Sequence, residues 1–76
     1  MIKNKSHDYS ILIVDDESIN IVMLADILKD EYTIHASTDG ADAIEAARGI
    51  LPDIILLDIL MPEMDGIEVL SALKNL

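Results

Sequence analysis

Twice in this chain a run of four apolar residues ends in an aspartate. Ile54-Ile55-Leu56-Leu57 is followed by Asp58, and Ile11-Leu12-Ile13-Val14 by Asp15-Asp16. Neither run alternates apolar with polar residues, as a half-exposed strand would. The pattern predicts strands buried on both faces, the habit of a parallel sheet. Each acid then stands at the carboxyl end of its strand, where open α/β sheets place their ligand sites.

The intervening segments supply the crossovers. A helix is expected over about 18–29, with Ser18 as N-cap and Asp15, Asp16 and Glu17 favourable near its N-terminus. Ile21, Leu24, Ala25 and Leu28 share one face of it, while Ile19, Val22, Met23 and Ile27 widen the apolar surface. That width fits either a broadly buried helix or a second contact surface. Tyr32-Thr33-Ile34-His35-Ala36 reads as a short strand, and Ser37-Thr38-Asp39-Gly40 as a turn. A small-residue helix over about 40–48 follows, with Ala43, Ile44 and Ala47 inward. Gly49 is expected to stop it and Pro52 to bar its continuation. After the Asp58 strand, Pro62 and Gly66 mark a loop, and a last helix over about 66–74 turns Val69, Leu70 and Leu73 inward.

The order is thus βαβαβα, which predicts a three-layer, doubly wound parallel sheet. With strand order 2-1-3, right-handed crossovers put the first and second helices on opposite faces. The first and third strands then end side by side, and Asp15, Asp16 and Asp58 meet although they lie far apart in the chain.

Composition limits the alternatives. Seventy-six residues allow one domain, and with two tyrosines and no other aromatic residue the core must be aliphatic. Residues 1–9 read as a flexible polar arm. A formal charge of −10 argues against nucleic acid or an anionic membrane as partner and favours divalent cations or a basic protein surface. No cysteine is present, which is compatible with the cytoplasm. No run approaches the ~20 apolar residues of a membrane span.

Three carboxylates in one crevice repel each other, and a divalent cation relieves the repulsion. Hard oxygen donors suit Mg²⁺, or Mn²⁺, better than zinc. An aspartate beside such an ion can also act as a nucleophile and form an aspartyl phosphate. Singly, Asp15 or Asp16 could serve only a helix N-terminus and Asp58 only a loop. Two acids after one buried strand and one after another make a more specific pattern. His7 reads as solvated, His35 as an ordinary surface histidine, Met61 and Met64 as filler, Glu63 as exposed, and Asp65 as serving the last helix.

The segments Ile11–Glu17, Ser37–Ala43 and Asp58–Gly66 (Asp-Ile-Leu-Met-Pro-Glu-Met-Asp-Gly) together resemble the receiver domain of two-component response regulators, over residues ~10–76 and in the right order. The resemblance implies a flavodoxin-like fold with Asp58 as phosphoacceptor. It implies Mg²⁺ on Asp15, Asp16, Asp58 and the backbone carbonyl of Leu60. It also implies a sensor histidine kinase or phosphotransfer protein as donor, in the cytoplasm, with no enzymatic turnover beyond self-catalysed phosphotransfer.

Receivers have five strands, with a Ser or Thr after the fourth and a Lys after the fifth. The pattern here stops at three strands and three helices, and the lysines are Lys3, Lys5, Lys29 and Lys74. Residues 10–76 are therefore expected to form a partial receiver lacking the last two βα units, with impaired phosphorylation. Its open sheet edge is expected to pair in a homodimer or swapped assembly. The alternative is a non-switching interaction or scaffold fragment. An aspartyl phosphohydrolase would want a second Asp two residues after the nucleophile, where this chain has Leu60.

Overall fold

A computed structural model describes residues 9–58 and 66–75. The elements are β1 (Ser10–Val14), α1 (Ser18–Leu28), β2 (Thr33–Ser37), α2 (Gly40–Ile50), β3 (Ile54–Leu57) and α3 (Gly66–Lys74). The strands form one parallel sheet in the order β2-β1-β3, as the sequence predicts.

The β-branched Ile11, Ile13 and Val14 give β1 its preference for extended backbone. Its central place buries Leu12, Ile13 and Val14 completely. Side chains alternate across the sheet, so its two faces receive different covers. Leu12 and Val14 join Ala43 and Ala47 of α2 and Val69 and Leu73 of α3 in the main core, flanked by Ile44, Ile55 and Leu57. The alanines let α2 lie close to the strands. Burying each large aliphatic side chain stabilises the fold by about 1.5–3 kcal/mol.

Several local expectations are corrected. Ser18 is the first helical residue of α1; the N-cap position falls to Glu17, without a side-chain cap bond. No residue of α1 is buried, so this is not a broadly buried helix. Ile19, Val22, Met23 and Ile27 are exposed instead. Gly49 does not end α2, which continues to Ile50. Leu51 caps it in the left-handed region (φ 52°), its N–H donating to the Ala47 carbonyl (2.8 Å). Pro52 follows directly. At the other end the Asp39 side chain accepts the Asp42 N–H (2.8 Å), a conventional N-cap. Leu70 of α3 points outward, with 39% of its surface exposed. β3 is not buried on both faces: Ile54 and Leu56 are exposed, whereas Ile55 and Leu57 face the core. The reason is position, since β3 pairs with β1 alone among the described strands.

Hydrogen bonds continue the ladder beyond both ends of the strands. At the start, the Ser10 N–H donates to an Asp53 carboxylate oxygen (2.8 Å) and the Asp53 N–H to the Ser10 carbonyl (3.0 Å). At the carboxyl end, the Asp15 N–H donates to the Ser37 carbonyl (3.1 Å) and the Asp58 N–H to the Val14 carbonyl (3.0 Å).

Candidate phosphoacceptor and cation site

The two acidic strand ends are therefore fixed by backbone as well as by side-chain packing. β1 and β3 are in register from Ile11↔Ile54 to Val14↔Leu57, so Asp15 and Asp58 leave the sheet as neighbours. One carboxylate oxygen each from Asp15, Asp16 and Asp58 lies within 4.8 Å of the other two. Asp15 is buried, Asp58 half-buried and Asp16 exposed. Asp15 and Asp58 also line a shallow groove with Ile13, Leu24 and Leu56.

Asp15 is held by two donors. The Glu17 N–H donates to its Oδ1 (2.9 Å) and the Asn20 side-chain amide to its Oδ2 (3.1 Å). The same amide reaches Glu17 Oε1 at 3.4 Å. Ionised carboxylates only accept hydrogen bonds, so the nitrogen of the Asn20 amide must face them. The sequence reading missed Asn20. The signal was there: a poor helix former in the first turn of an otherwise apolar helix, within reach of the acid pair.

The donor set fits a small hard cation. Opposite ligands of an octahedral Mg²⁺ stand about 4.2 Å apart at its ~2.1 Å bond lengths, and the ion usually retains several waters. Three carboxylate oxygens within 4.8 Å of one another offer such an ion a hard-oxygen donor set that water would complete. Leu60, whose carbonyl was the fourth expected ligand, lies outside the described residues. So do His7, Met61, Glu63, Met64 and Asp65. His35, expected as an ordinary surface histidine, lies in the middle of β2 and is half-buried.

The parallel α/β sheet gathers three aspartates at its carboxyl edge, where such sheets place their ligand sites. The chain belongs to the response regulator receiver domain family, whose pattern it matches over residues 11–76. It is 39% identical over 67 residues to a probable transcriptional regulatory protein, TcrX, of Mycobacterium tuberculosis, covering 87% of this chain and 29% of that protein. It is 41% identical over 70 residues to the chemotaxis protein CheY of Bacillus subtilis, covering 90% of this chain and 58% of CheY. Among solved structures, it resembles the N-terminal domain of a response regulator receiver protein from Methanoculleus marisnigri. The TM-score is 0.77 at 36% identity, covering 83% of this chain and 52% of that one. The chain thus spans well under two thirds of these relatives' length. Its fold is flavodoxin-like, like that of the receiver domains it matches.

Proposed function

We propose that Asp58 is the phosphoacceptor of this receiver and that Asp15 and Asp16 hold Mg²⁺, or Mn²⁺, beside it. By resemblance, the Leu60 carbonyl joins them. The observation that carries this reading is the meeting of three carboxylates from two strand ends within 4.8 Å, on backbone tied by the Asp58–Val14 hydrogen bond. In the reaction an Asp58 oxygen attacks phosphorus. The bond from phosphorus to the imidazole nitrogen of a donor phosphohistidine breaks, and the imidazole leaves with the bonding pair. The bound cation would offset charge on the phosphoryl oxygens. Asp15, held by Glu17 and Asn20, keeps its position while Asp58 reacts. The proposed donor is a sensor histidine kinase or phosphotransfer protein, in the cytoplasm, and the module itself turns over no substrate. No described helix is long and apolar enough to cross a membrane.

Calorimetric titration with Mg²⁺ tests the site. One saturable site, lost in Asp58→Asn and Asp15→Asn, is expected; no saturable heat in the unmutated chain would refute it. Labelling with acetyl phosphate tests the acceptor. Label should be magnesium-dependent and confined to Asp58.

A second reading is favoured by one observation. Ile54 and Leu56 of β3 and Val22, Met23 and Ile27 of α1 are exposed, and β3 pairs with β1 alone among the described strands. This surface suits a non-switching interaction module that associates with a second copy through β3. Sedimentation distinguishes the two readings when combined with the titration: a dimer without cation binding favours the second.

A further inference from the structure

We infer that Asn20 is a positioning residue for the cation site, setting the orientation of the Asp15 carboxylate; the inference rests on the reading of Asp15, Asp16 and Asp58 as that site. Asp15 is only 7% exposed, so water has little access to orient it. Two donors act in its place, and they differ in kind. The Glu17 N–H belongs to the backbone at the α1 cap and survives any side-chain change. The Asn20 amide is the one side-chain donor to Asp15 among the described residues. It approaches Oδ2 while the backbone holds Oδ1, so the two together fix rotation of the carboxylate plane. Each ionised oxygen has two lone pairs, and one remains on each for a metal or its water. Asn20 is neutral, so it constrains the ligand without adding charge to a cluster that already carries three negative groups. Its 3.4 Å contact with Glu17 Oε1 also draws that fourth carboxylate toward the helix. Partners of this sort, touching a ligand rather than the metal, typically change affinity about 10–100-fold when removed.

The test uses the full 76-residue chain, with Mn²⁺ as probe read by its free-ion paramagnetic resonance signal. Unfolding is followed separately in chelator. Asn20→Leu, similar in size and without a donor, is expected to weaken Mn²⁺ binding about 10–100-fold while the chelated protein unfolds at the same temperature. Asn20→Gln is expected to recover most of the loss. Asn20→Asp should also bind more weakly, although simple charge attraction would make it bind more tightly. Equal affinity in Asn20→Leu, tighter binding by Asn20→Asp, or a loss that merely follows lower stability in chelator would overturn the role of Asn20 alone. If the unmutated chain shows no saturable Mn²⁺ binding, the cation site falls and this role with it.

Discussion

Ile13 and Leu56 are register partners on adjacent parallel strands and share one face of the sheet, yet Ile13 is 1% exposed and Leu56 37%. The difference is one of place: Ile13 lies on the central strand and Leu56 on the outer one. Truncating them should therefore have unequal effects. Ile13→Ala is expected to cost about 2–5 kcal/mol through lost burial and a residual cavity. Leu56→Ala should cost clearly less, since part of its surface is already in water. Urea unfolding measures both; equal losses would mean that something covers β3 in solution.

The exposed face should drive association, and charge should oppose it. Two copies each carrying −10 repel over the ~8 Å screening length of physiological salt. Sedimentation should thus show a dimer that strengthens with added sodium chloride, as repulsion is screened and apolar burial remains. Leu56→Lys should leave a monomer at every salt concentration. A wild-type chain that stays monomeric in high salt would exclude the β3 interface.

The two ends of α2 make opposite predictions. Asp39→Ala removes the side chain that accepts the Asp42 N–H and should cost about 1 kcal/mol. Leu51 stands at φ 52° with 71% of its surface exposed, so it suffers left-handed strain with little burial in return. Leu51→Gly should raise stability by up to about 1 kcal/mol, the relief being partly offset by glycine's freedom in the unfolded chain. Leu51→Val should lower it. Thermal unfolding checks all three.

Asp42 supplies a pH prediction. The neighbouring Asp39 charge, then their side-chain hydrogen bond and slight burial, hold its carboxyl above the ordinary aspartate value of 3.8. Folding thus favours the protonated form. That contribution is fully present below pH 3.8 and is lost as pH rises through the higher folded value. Asp42→Asn, which keeps the backbone N–H for Asp39, should flatten this part of the stability profile. The variant should be no less stable than the wild type at pH 7. A stability that falls with acidification identically in both proteins would show that Asp42 plays no part.

The sheet order and the acid cluster were legible because they rest on long-range regularities: two apolar runs, each ending in acid, and crossovers of fixed handedness. What was not legible depended on neighbours. Ile54-Ile55-Leu56-Leu57 reads identically for a central and an outer strand, and only the sheet order shows which residues meet water. Gly49 looked like a helix stop, but a Leu in left-handed backbone serves one turn-end later, just before Pro52. Ser18 looked like a cap, whereas the bond that orders this helix start runs back to Asp15. Asn20 stood out as a poor helix former, but its partner Asp15 lies five residues back, a spacing no helix-face pattern predicts.

The backbone bonds from Asp15 to Ser37 and from Asp58 to Val14 also bear on how such a chain tolerates change in length. Extra residues inserted between Lys29 and Tyr32, or around Pro52, would lengthen surface connections at a cost that grows only slowly with size. A single deletion within 54–57 would instead turn Asp58 to the other side of the sheet and pull it away from Asp15. Natural variants should accordingly vary in length at those connections and keep the spacing from strand to acid.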